Sequence, residues 1–183
     1  MYNKNILCRE TSDDDLNFII DVQKSAFGGN SVAQLTTELL EDDRAMPRIS
    51  ILAFDNTKPV GHILFTKCSI EGINNCPLMH ILAPLAVIPE YQNQGIGEKL
   101  TRNGLNLLRE MKSEIVFVLG HIDYYPKHGF INNAGSLGYT APYPIPEKDK
   151  DAWMVMLLNS KKLTNFGKVI CSKAMDKPEY WRE

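Results

Sequence analysis

The chain has 183 residues, a length that suits one domain of ordinary size. Its 20 Lys and Arg residues nearly balance 22 Asp and Glu residues, so the net charge of -2 does not indicate a nucleic-acid or anionic-membrane binder. With 44% hydrophobic and 23% charged residues, the composition excludes general disorder. The sequence contains no apolar run of ~18 residues and no secretory signal pattern, so we expect a cytoplasmic protein without a membrane partner.

The first half of the chain predicts a strand, two helices and then three strands. A short strand at 6–9 precedes a helix that Thr11 or Ser12 caps, with Asp13, Asp14 and Asp15 in its favourable first turn. The helix ends at the glycines 28–29, and a second helix covers 31–41. Three apolar strands at 49–54, 60–70 and 78–88 are joined by short turns, which predicts an antiparallel meander. The last strand is the most apolar and is expected at the centre of the sheet.

The second half begins with a helix at 95–111 and a short buried strand at 115–119. Strand, helix and strand form a βαβ unit, which requires parallel pairing and a right-handed crossover. A short helix at 122–128, strands from Phe130 and from Trp153, an ordered loop at 137–146 and an edge strand at 169–171 follow. We expect one domain over 1–160 and a C-terminal extension, with the edge strand and a tail, over 161–183.

Cysteine spacing gives no sign of a metal site. Cys8, Cys68, Cys76 and Cys171 form no CxxC pair and have no metal-ligand spacing with the histidines. We therefore predict reduced thiols and no bound metal. A disulfide between Cys68 and Cys76, which flank a predicted hairpin turn, is the alternative.

The segment 85–100 is the most informative about chemistry. A buried strand runs into a loop, and Gly95 and Gly97 open a helix. The first turn of a helix leaves N–H groups unpaired and carries partial positive charge, and glycine lets a phosphate approach the backbone closely. The segment 94–97 is therefore predicted to bind a pyrophosphate, although an ordinary loop explains the glycines equally well. The segment fits neither the P-loop nor the GxGxxG dinucleotide fingerprint.

Three segments follow one another in a distinctive order. They are Pro84-Leu85-Ala86-Val87-Ile88-Pro89, then Gln92-Asn93-Gln94-Gly95-Ile96-Gly97, then Tyr125-Pro126-Lys127-His128-Gly129-Phe130. The second fits the (Arg/Gln)-x-x-Gly-x-(Gly/Ala) signature of the GNAT superfamily of N-acetyltransferases, and the third matches its Tyr-x-x-x-Gly-Phe. The first resembles the fourth strand of that family. The resemblance runs from about residue 6 to about residue 158, and the motifs look most similar to those of the YhbS-like predicted bacterial acetyltransferases.

The resemblance implies a fold and a cofactor. The fold is an α/β (α+β) acyl-CoA N-acyltransferase fold: a mixed, mostly antiparallel twisted sheet with helices on both faces and a V-shaped splay between strands four (82–88) and five (115–119). The cofactor is acetyl-CoA. Its pyrophosphate is expected on Gln92, Asn93, Gln94, Gly95, Ile96, Gly97 and Glu98, and its pantetheine arm on the backbone of Leu85, Ala86 and Val87. Lys99, Arg102 and Lys127 are candidates for the 3′-phosphate, each with a solvated surface cation as the alternative.

The resemblance also assigns an acid and an oxyanion donor. Tyr125 matches the family's general acid, and a phenol with a pKa of about 10 suits protonation of a departing thiolate whose thiol has a pKa of about 8.5. The adjacent Tyr124 is an alternative acid, and a wall tyrosine without a catalytic role is another interpretation of Tyr125. The backbone N–H of Val87 would meet the oxyanion.

No general base is identified by the sequence. The family's positions on strand four correspond to Ile81 and Ala83, which are both apolar. His80 lies one residue away, on the opposite face unless a bulge re-aims it. His121 and Asp123 follow strand five and are further candidates, as is a chain of water molecules. For each of these side chains, the alternative is that it takes no part in catalysis. His121 stands about where the family often has an asparagine.

The leading hypothesis is an N-acetyltransferase that moves an acetyl group from acetyl-CoA to a primary amine by direct attack in a ternary complex. A non-catalytic acyl-CoA-binding sensor is the alternative, favoured by the lack of a base on strand four, and nucleotide binding is a third. The acceptor, a small molecule or a peptide, is expected between the loops 27–30 and 137–145. The chain is expected to act as a monomer or homodimer.

Overall fold

A computed structural model describes residues 5–159 and 162–182. Within them lie eight strands: β1 (Ile6–Glu10), β2 (Ile49–Asp55), β3 (Lys58–Ile70), β4 (Met79–Val87), β5 (Ile115–Leu119), β6 (Tyr139–Thr140), β7 (Trp153–Leu157) and β8 (Gly167–Ile170). The three α-helices of this part of the chain are α1 (Leu16–Phe27), α2 (Ser31–Glu41) and α3 (Ile96–Glu110). The predicted order of elements is confirmed from β1 through β5.

The sheet is mixed and mostly antiparallel. Its main path runs β1-β2-β3-β4-β5-β7, and within this path β4 and β5 are parallel while the other neighbours are antiparallel. The meander β2-β3-β4 and the β4-α3-β5 unit are as the sequence predicts. β4 lies between β3 and β5, and seven of its nine residues are apolar. A central strand covered on both faces needs no alternation of apolar and polar residues.

Helices cover both faces of the sheet, as predicted. On one face, Gly61 and Phe65 of β3 lie directly under Leu100 and Gly104 of α3. On the other face, α1 reaches β3 through a buried hydrogen bond between Gln23 and His62, 2.8 Å long. The helices α1 and α2 pack against each other on that second face. None of the helices in the described residues has the length and apolar content needed to cross a bilayer.

Replacing Gly104 by alanine is expected to destabilise the fold. A Cβ atom at this position would stand 2.2 Å from Cε2 of Phe65, on a strand that cannot move aside. The overpacking should lower the free energy of unfolding by about 1–3 kcal/mol, despite the better helix propensity of alanine. Urea denaturation tests this, with Gly135→Ala as the control because its new Cβ would meet only Asn133 Oδ1, at 3.7 Å. Equal stability of the two variants would contradict the close helix–sheet contact.

The start of α1 differs slightly from the prediction. A 3₁₀ turn at Asp13–Asp15 precedes the helix, and Ser12 is its N-cap. The Ser12 N–H donates to the Asp15 carboxylate at 2.8 Å, and Arg9 donates to both of its oxygens, at 2.7 and 2.8 Å. These bonds, led by that of Arg9, hold the pKa of Asp15 well below its usual range. Asp15 therefore closes a capping turn, in addition to the favourable place of the three acids at the helix N-terminus.

After β5, one prediction is confirmed in part and one is wrong. The short helix expected at 122–128 forms as a 3₁₀ helix over Tyr125–His128 only, and Gly129 ends it in the left-handed conformation with φ +98°, as the sequence indicates. The strand expected from Phe130 is a single bridge between Ile131 and Val155. Apolar residues at 130–131 pack against β7 without forming a regular ladder, because the chain turns away at Ala134 to begin the long loop.

The C-terminal segment is packed into the fold. β8 pairs antiparallel with Ser69 and Ile70 at the far end of β3, so the predicted extra strand forms. Trp181 is 1% exposed, and its ring lies edge-on to Trp153 of β7 at 5.6 Å. The proposed boundary between 160 and 161 falls on residues outside the described ones, so that division of the chain stays a prediction. All four cysteines are free thiols, and no Cys68–Cys76 disulfide forms.

Candidate functional site

β4 and β5 separate part-way along their length. Their parallel pairing joins Met79–Leu82 to Ile115–Val118 and goes no further, while β4 continues to Val87 alongside β3. A register shift in the β3–β4 ladder lies opposite Ala83 and Pro84, where the two strands part. The predicted V-shaped splay is therefore present, and we call the space between 83–87 and the residues after Leu119 the V cleft.

A groove of about 790 Å³ opens from the V cleft toward the start of α3. We call it the β4–β5 groove. It is lined by Leu85, Val87, Tyr91, Gln92, Asn93, Gly95, Ile96, Gly97, Glu98, His121, Tyr124, Tyr125, Lys127 and His128. The groove thus brings together the glycine loop, the splayed part of β4 and the Tyr-x-x-x-Gly-Phe motif, which are distant in sequence.

The backbone of β4 presents alternate residues to the cleft. Ile88 N–H donates to Val60 O at 3.0 Å, and bonded and non-bonded pairs alternate along antiparallel strands. Ala86 therefore bonds to β3, whereas Leu85 directs its N–H and C=O groups and Val87 its N–H group into the V cleft; the Val87 carbonyl accepts from Gln92 Nε2. The expectation that Ala86 offers its backbone to a ligand is wrong on this geometry, and consistently Ala86 is absent from the lining of the groove.

The first turn of α3 offers unpaired N–H groups to the groove. Gly95, the N-cap, has φ +79° and no side chain to cap the helix. The first intrahelical bond runs from Lys99 N–H to Gly95 O. The N–H groups of Ile96, Gly97 and Glu98 consequently have no intrahelical acceptor. Such a cluster of donors at the positive end of a helix fits a pyrophosphate.

Side chains of the loop before α3 hold the loop itself. Gln92 Nε2 donates to Val87 O at 3.0 Å, and Gln94 Nε2 donates to Glu90 O at 2.8 Å. Asn93 takes the left-handed conformation, with φ +57°. Two glutamines and a residue that tolerates positive φ therefore fix the loop and leave the binding to its backbone.

The three candidate cations differ in their positions. The ammonium of Lys99 donates to Ile6 O on the outer edge of β1, so Lys99 is occupied away from the groove. Arg102 lies 3.9 Å from Glu98 on the exposed surface of α3. Lys127 lines the β4–β5 groove, which makes it the candidate whose position suits a phosphate of the ligand.

Tyr125 is almost buried, with 7% of its surface exposed, and it lines the groove. Its ring lies so close to Gly120 that a Cβ there would stand 2.5 Å from Cε2, and the Phe130 ring packs edge-on at 5.6 Å. The Tyr125 ring therefore leaves no room for a side chain at Gly120, the residue that follows β5. A glycine five residues before the tyrosine of the motif was a sequence signal for this contact, and sequence reasoning missed it.

Tyr124 lies against the first turn of α3. Its hydroxyl is 3.3 Å from Thr101 Oγ1 and would be 3.0 Å from a Cβ at Gly97, and partial burial raises the pKa of this phenol. Gly97 is therefore small for two reasons: it exposes backbone to the groove, and it makes room for Tyr124. The rings of Tyr124 and Tyr125 meet edge to face at 5.0 Å.

The candidate bases lie in three different environments. His80 is fully buried: Nδ1 is 2.9 Å from Ser113 Oγ and Nε2 is 2.9 Å from Pro47 O. Burial lowers the pKa of His80 to about 4. It lies at the start of β4, outside the groove lining, so its expected place in the cleft is wrong. Asp123 is exposed and also outside that lining, whereas His121 lines the groove.

The described residues contain no group of three or more His, Cys, Asp and Glu side chains arranged to hold a metal ion. The groove offers a ligand backbone donors, three phenols, two imidazoles and the charged side chains Glu98 and Lys127.

The sheet, the V cleft and the glycine loop are the features of one class of protein, and a family comparison agrees. Residues 8–131 match the model of the acetyltransferase (GNAT) domain. The chain therefore belongs to the GNAT acetyltransferase family, and the prediction of an acyltransferase enzyme is confirmed.

Individual relatives and structures are consistent with this family. The chain is 50% identical over 162 residues to the uncharacterized N-acetyltransferase YjhQ of Escherichia coli K12, which covers 88% of this chain and 90% of YjhQ. The crystal structure of E. coli YhbS in complex with CoA matches with a TM-score of 0.82 at 24% identity, over 94% of this chain and 92% of that one. A Brucella melitensis GNAT acetyltransferase in complex with acetyl-CoA matches with a TM-score of 0.75 at 23% identity, over 95% and 100%. At these identities the two structures bear on the fold, and they agree with the predicted GNAT architecture.

Proposed function

We propose that this protein transfers the acetyl group of acetyl-CoA to a primary amine, by direct attack within a ternary complex. The observation that carries the proposal is the junction of two sets of unsatisfied backbone groups in one groove. The N–H groups of Ile96, Gly97 and Glu98 suit a pyrophosphate, and the outward N–H and C=O of Leu85 with the N–H of Val87 suit an amide-containing arm. The two related crystal structures, which hold CoA and acetyl-CoA, support this assignment of the donor.

Acetyl-CoA would supply an acetyl group activated as a thioester. The backbone of β4 orients the arm by strand-like hydrogen bonds, in the gap that β5 leaves open. The Val87 N–H, which faces the V cleft, donates to the carbonyl oxygen as negative charge builds on it. The Tyr125 hydroxyl gives a proton to the departing sulfur. Tyr124 lies one residue away, but its hydroxyl is directed to Thr101 and the start of α3, which favours Tyr125 as the acid.

The acceptor is a small-molecule or peptide amine that enters from the face of the sheet covered by α1 and α2. The loop 27–30 at the α1–α2 junction and the loop 137–145 form the expected walls. Phe27 is exposed in the first loop. Tyr143 and Ile145 of the second loop are partly buried and pack against the same part of the core. We also propose a cytoplasmic location and a monomeric or homodimeric state. The proposal includes no nucleic-acid partner, because the net charge of -2 does not favour binding of a polyanion.

A second candidate is a binding module that holds acyl-CoA without turning it over. The specific observation in its favour is the apolar character of β4 where family members carry a base: Ile81 is buried, and Ala83 packs against the same part of the core as Ile81. Retention of a tyrosine that lines the groove favours the enzyme.

Calorimetric titration with acetyl-CoA tests the proposal, with ATP as the control ligand. We expect saturable binding that Gly95→Glu lowers by ~10²-fold or more, because the new carboxylate would stand among the phosphates at roughly 4 Å, where like charges repel by several RT. Gly72→Glu is the matched control: Gly72 has φ +73° and open space around it, as Gly95 does with φ +79°, but lies in the β3–β4 turn at the other end of the sheet. It imposes the same strain and charge and should leave binding intact. Absence of acetyl-CoA binding, or equal loss in both variants, would contradict the proposed donor site.

A further inference from the structure

The acceptor amine must lose a proton before it can attack, and the described residues of β4 place no base in the V cleft. Ile81 and Ala83 are apolar, and His80 is sealed in the interior between Ser113 and Pro47. We propose that His121 is the general base that deprotonates the acceptor amine. The assignment rests on the proposed acetyl transfer and identifies the catalytic residue that the motifs leave open.

The register of the sheet places His121 opposite the reacting part of β4. Met79 pairs with Ile115 and Leu82 with Val118, a constant offset along the two parallel strands. Extending this offset past the point of separation brings His121 level with Leu85 on the other wall of the V cleft. Leu85 is one of the two residues whose backbone groups face the cleft, and both Leu85 and His121 line the groove. The imidazole is therefore carried at the level where the thioester arm is proposed to lie.

His121 and the proposed acid lie on the same groove. Tyr125 belongs to the core layer that includes α3, with Val116 and Val118 of β5. β5 ends at Leu119, and His121 follows two residues later and lines the groove together with Tyr125. The proposed base and acid are therefore four residues apart in the chain and meet one ligand site.

The backbone couples His121 to the tyrosine motif. The His121 carbonyl accepts hydrogen bonds from Tyr124 N–H at 3.1 Å and from Tyr125 N–H at 3.3 Å. The two side chains are consequently held by one short turn, while the exposed imidazole can still meet a substrate. Effective catalysis needs this combination of fixed geometry and access.

Other titratable groups line the same groove, and most of them lie at the phosphate end. They are Tyr91, Glu98, Tyr124, Tyr125, Lys127 and His128. The His128 ring lies 4.8 Å from that of Tyr124, near the start of α3, and partial burial lowers the pKa of His128 against the opposing effect of Glu98 on that helix. Among the two imidazoles of the groove, His121 is thus the one that follows β5 into the V cleft.

The proton balance is complete with these groups. The alkylammonium gives one proton to the imidazole of His121, which passes it to solvent. The nitrogen lone pair then forms the C–N bond, and the C–S bond breaks with its electron pair on sulfur. Tyr125 protonates that sulfur, and the surplus proton of the new amide nitrogen returns to the phenolate through water. The net change is one thioester and one ammonium converted to one amide, one thiol and one released proton.

The test compares amines of different basicity as acceptors, with thiol release as the readout. The probes are butylamine, glycinamide and hydroxylamine, and the variant is His121→Gln. An alkylamine with a pKa of about 10.4 is almost wholly protonated near neutral pH, so its rate should fall by ~10²-fold or more without the base. Hydroxylamine is already unprotonated there, so its rate should fall far less, and the affinity for acetyl-CoA should stay unchanged. Equal losses for all three amines would overturn the assignment.

A pH profile with a second variant separates the two imidazoles. Without its base, His121→Gln can use only the neutral amine, so its deficit in kcat/KM for butylamine should shrink as the pH rises toward the amine's pKa of about 10.4, whereas His128→Gln should keep the shape of the wild-type profile. The reverse pattern, with the pH-dependent deficit in His128→Gln and none in His121→Gln, would assign the base to the other imidazole and overturn the proposal. The wild type could also bind acetyl-CoA and release no thiol with any of the three amines. That result would overturn the assignment of His121 in favour of the binding module. Failure of acetyl-CoA binding itself would contradict the proposed function, which keeps the two failures distinct.

Discussion

Replacing Tyr125 by phenylalanine is expected to lower the turnover number by ~10²–10⁴-fold, the usual contribution of a positioned acid or base. The substitution removes one hydroxyl and keeps the ring. That ring fills the space beside Gly120 and packs edge-on against Phe130, so the fold of the groove should be preserved. The affinity for acetyl-CoA should therefore change little while the proton that the thiolate needs is no longer supplied.

Thiol release under saturating acetyl-CoA measures the turnover, and calorimetry measures the binding. Tyr180→Phe, in the C-terminal segment outside the groove lining, is the control for loss of a phenol elsewhere. Unchanged turnover in Tyr125→Phe would refute the role of this residue as the acid. Unchanged turnover there with a large loss in Tyr124→Phe would move the acid to the neighbouring residue.

The stability of the protein is expected to fall steeply between about pH 7.5 and about pH 5.5, because two histidines are buried in neutral form. Burial lowers the pKa of His62 to about 3 and that of His80 to about 4. Their unfolded-state pKa is about 6.5, so the unfolded chain takes up protons first as the pH drops. Each histidine should cost about 1.4 kcal/mol of unfolding free energy over this interval, or about 3 kcal/mol together.

Urea denaturation at a series of pH values tests this expectation. The loss should continue below pH 5.5 until the folded-state pKa values are reached. Asp15, whose pKa is depressed chiefly by Arg9, adds its own loss as the pH falls through the usual pKa of a carboxylic acid and below it. His80→Asn should reduce the pH dependence of stability even if it also lowers stability. A flat stability profile above pH 5.5 would show that the buried imidazoles take up protons in the folded state.

The polar partners of these histidines explain why the sequence misplaced one of them. His62 lies between Gln23 of α1 and Ser50 of β2, and His80 lies between Ser113 and the Pro47 carbonyl. The four partner residues are distant from the histidines in sequence. A histidine on an apolar strand offers no local signal that separates a satisfied core residue from a catalytic one. The distinction depends on which groups the fold brings within hydrogen-bonding distance.

Local patterns predicted the elements wherever the physics is local. The period of apolar residues, the Ser12 cap and the left-handed Gly28 define α1 and α2, and the uninterrupted apolar run of β4 predicts its central place. The shortened helix within 122–128 and the missing strand from Phe130 are short segments whose conformation depends on contacts with the rest of the fold. A few residues of propensity cannot outweigh such contacts.

The sequence by itself determined the class of this protein, because a glycine-opened helix after an apolar strand and a tyrosine motif at fixed spacing are properties of the chain. Only the tertiary structure decided how the groove is used: that Leu85 and Val87 face the cleft while Ala86 bonds to β3, that Lys99 is held at β1, and that His121 lines the groove while His80 does not. The reason is physical. Strand register, the parting of β4 from β5 and the packing of side chains across layers are set by contacts between segments far apart in the chain, and those contacts determine which donors, acids and bases meet a substrate.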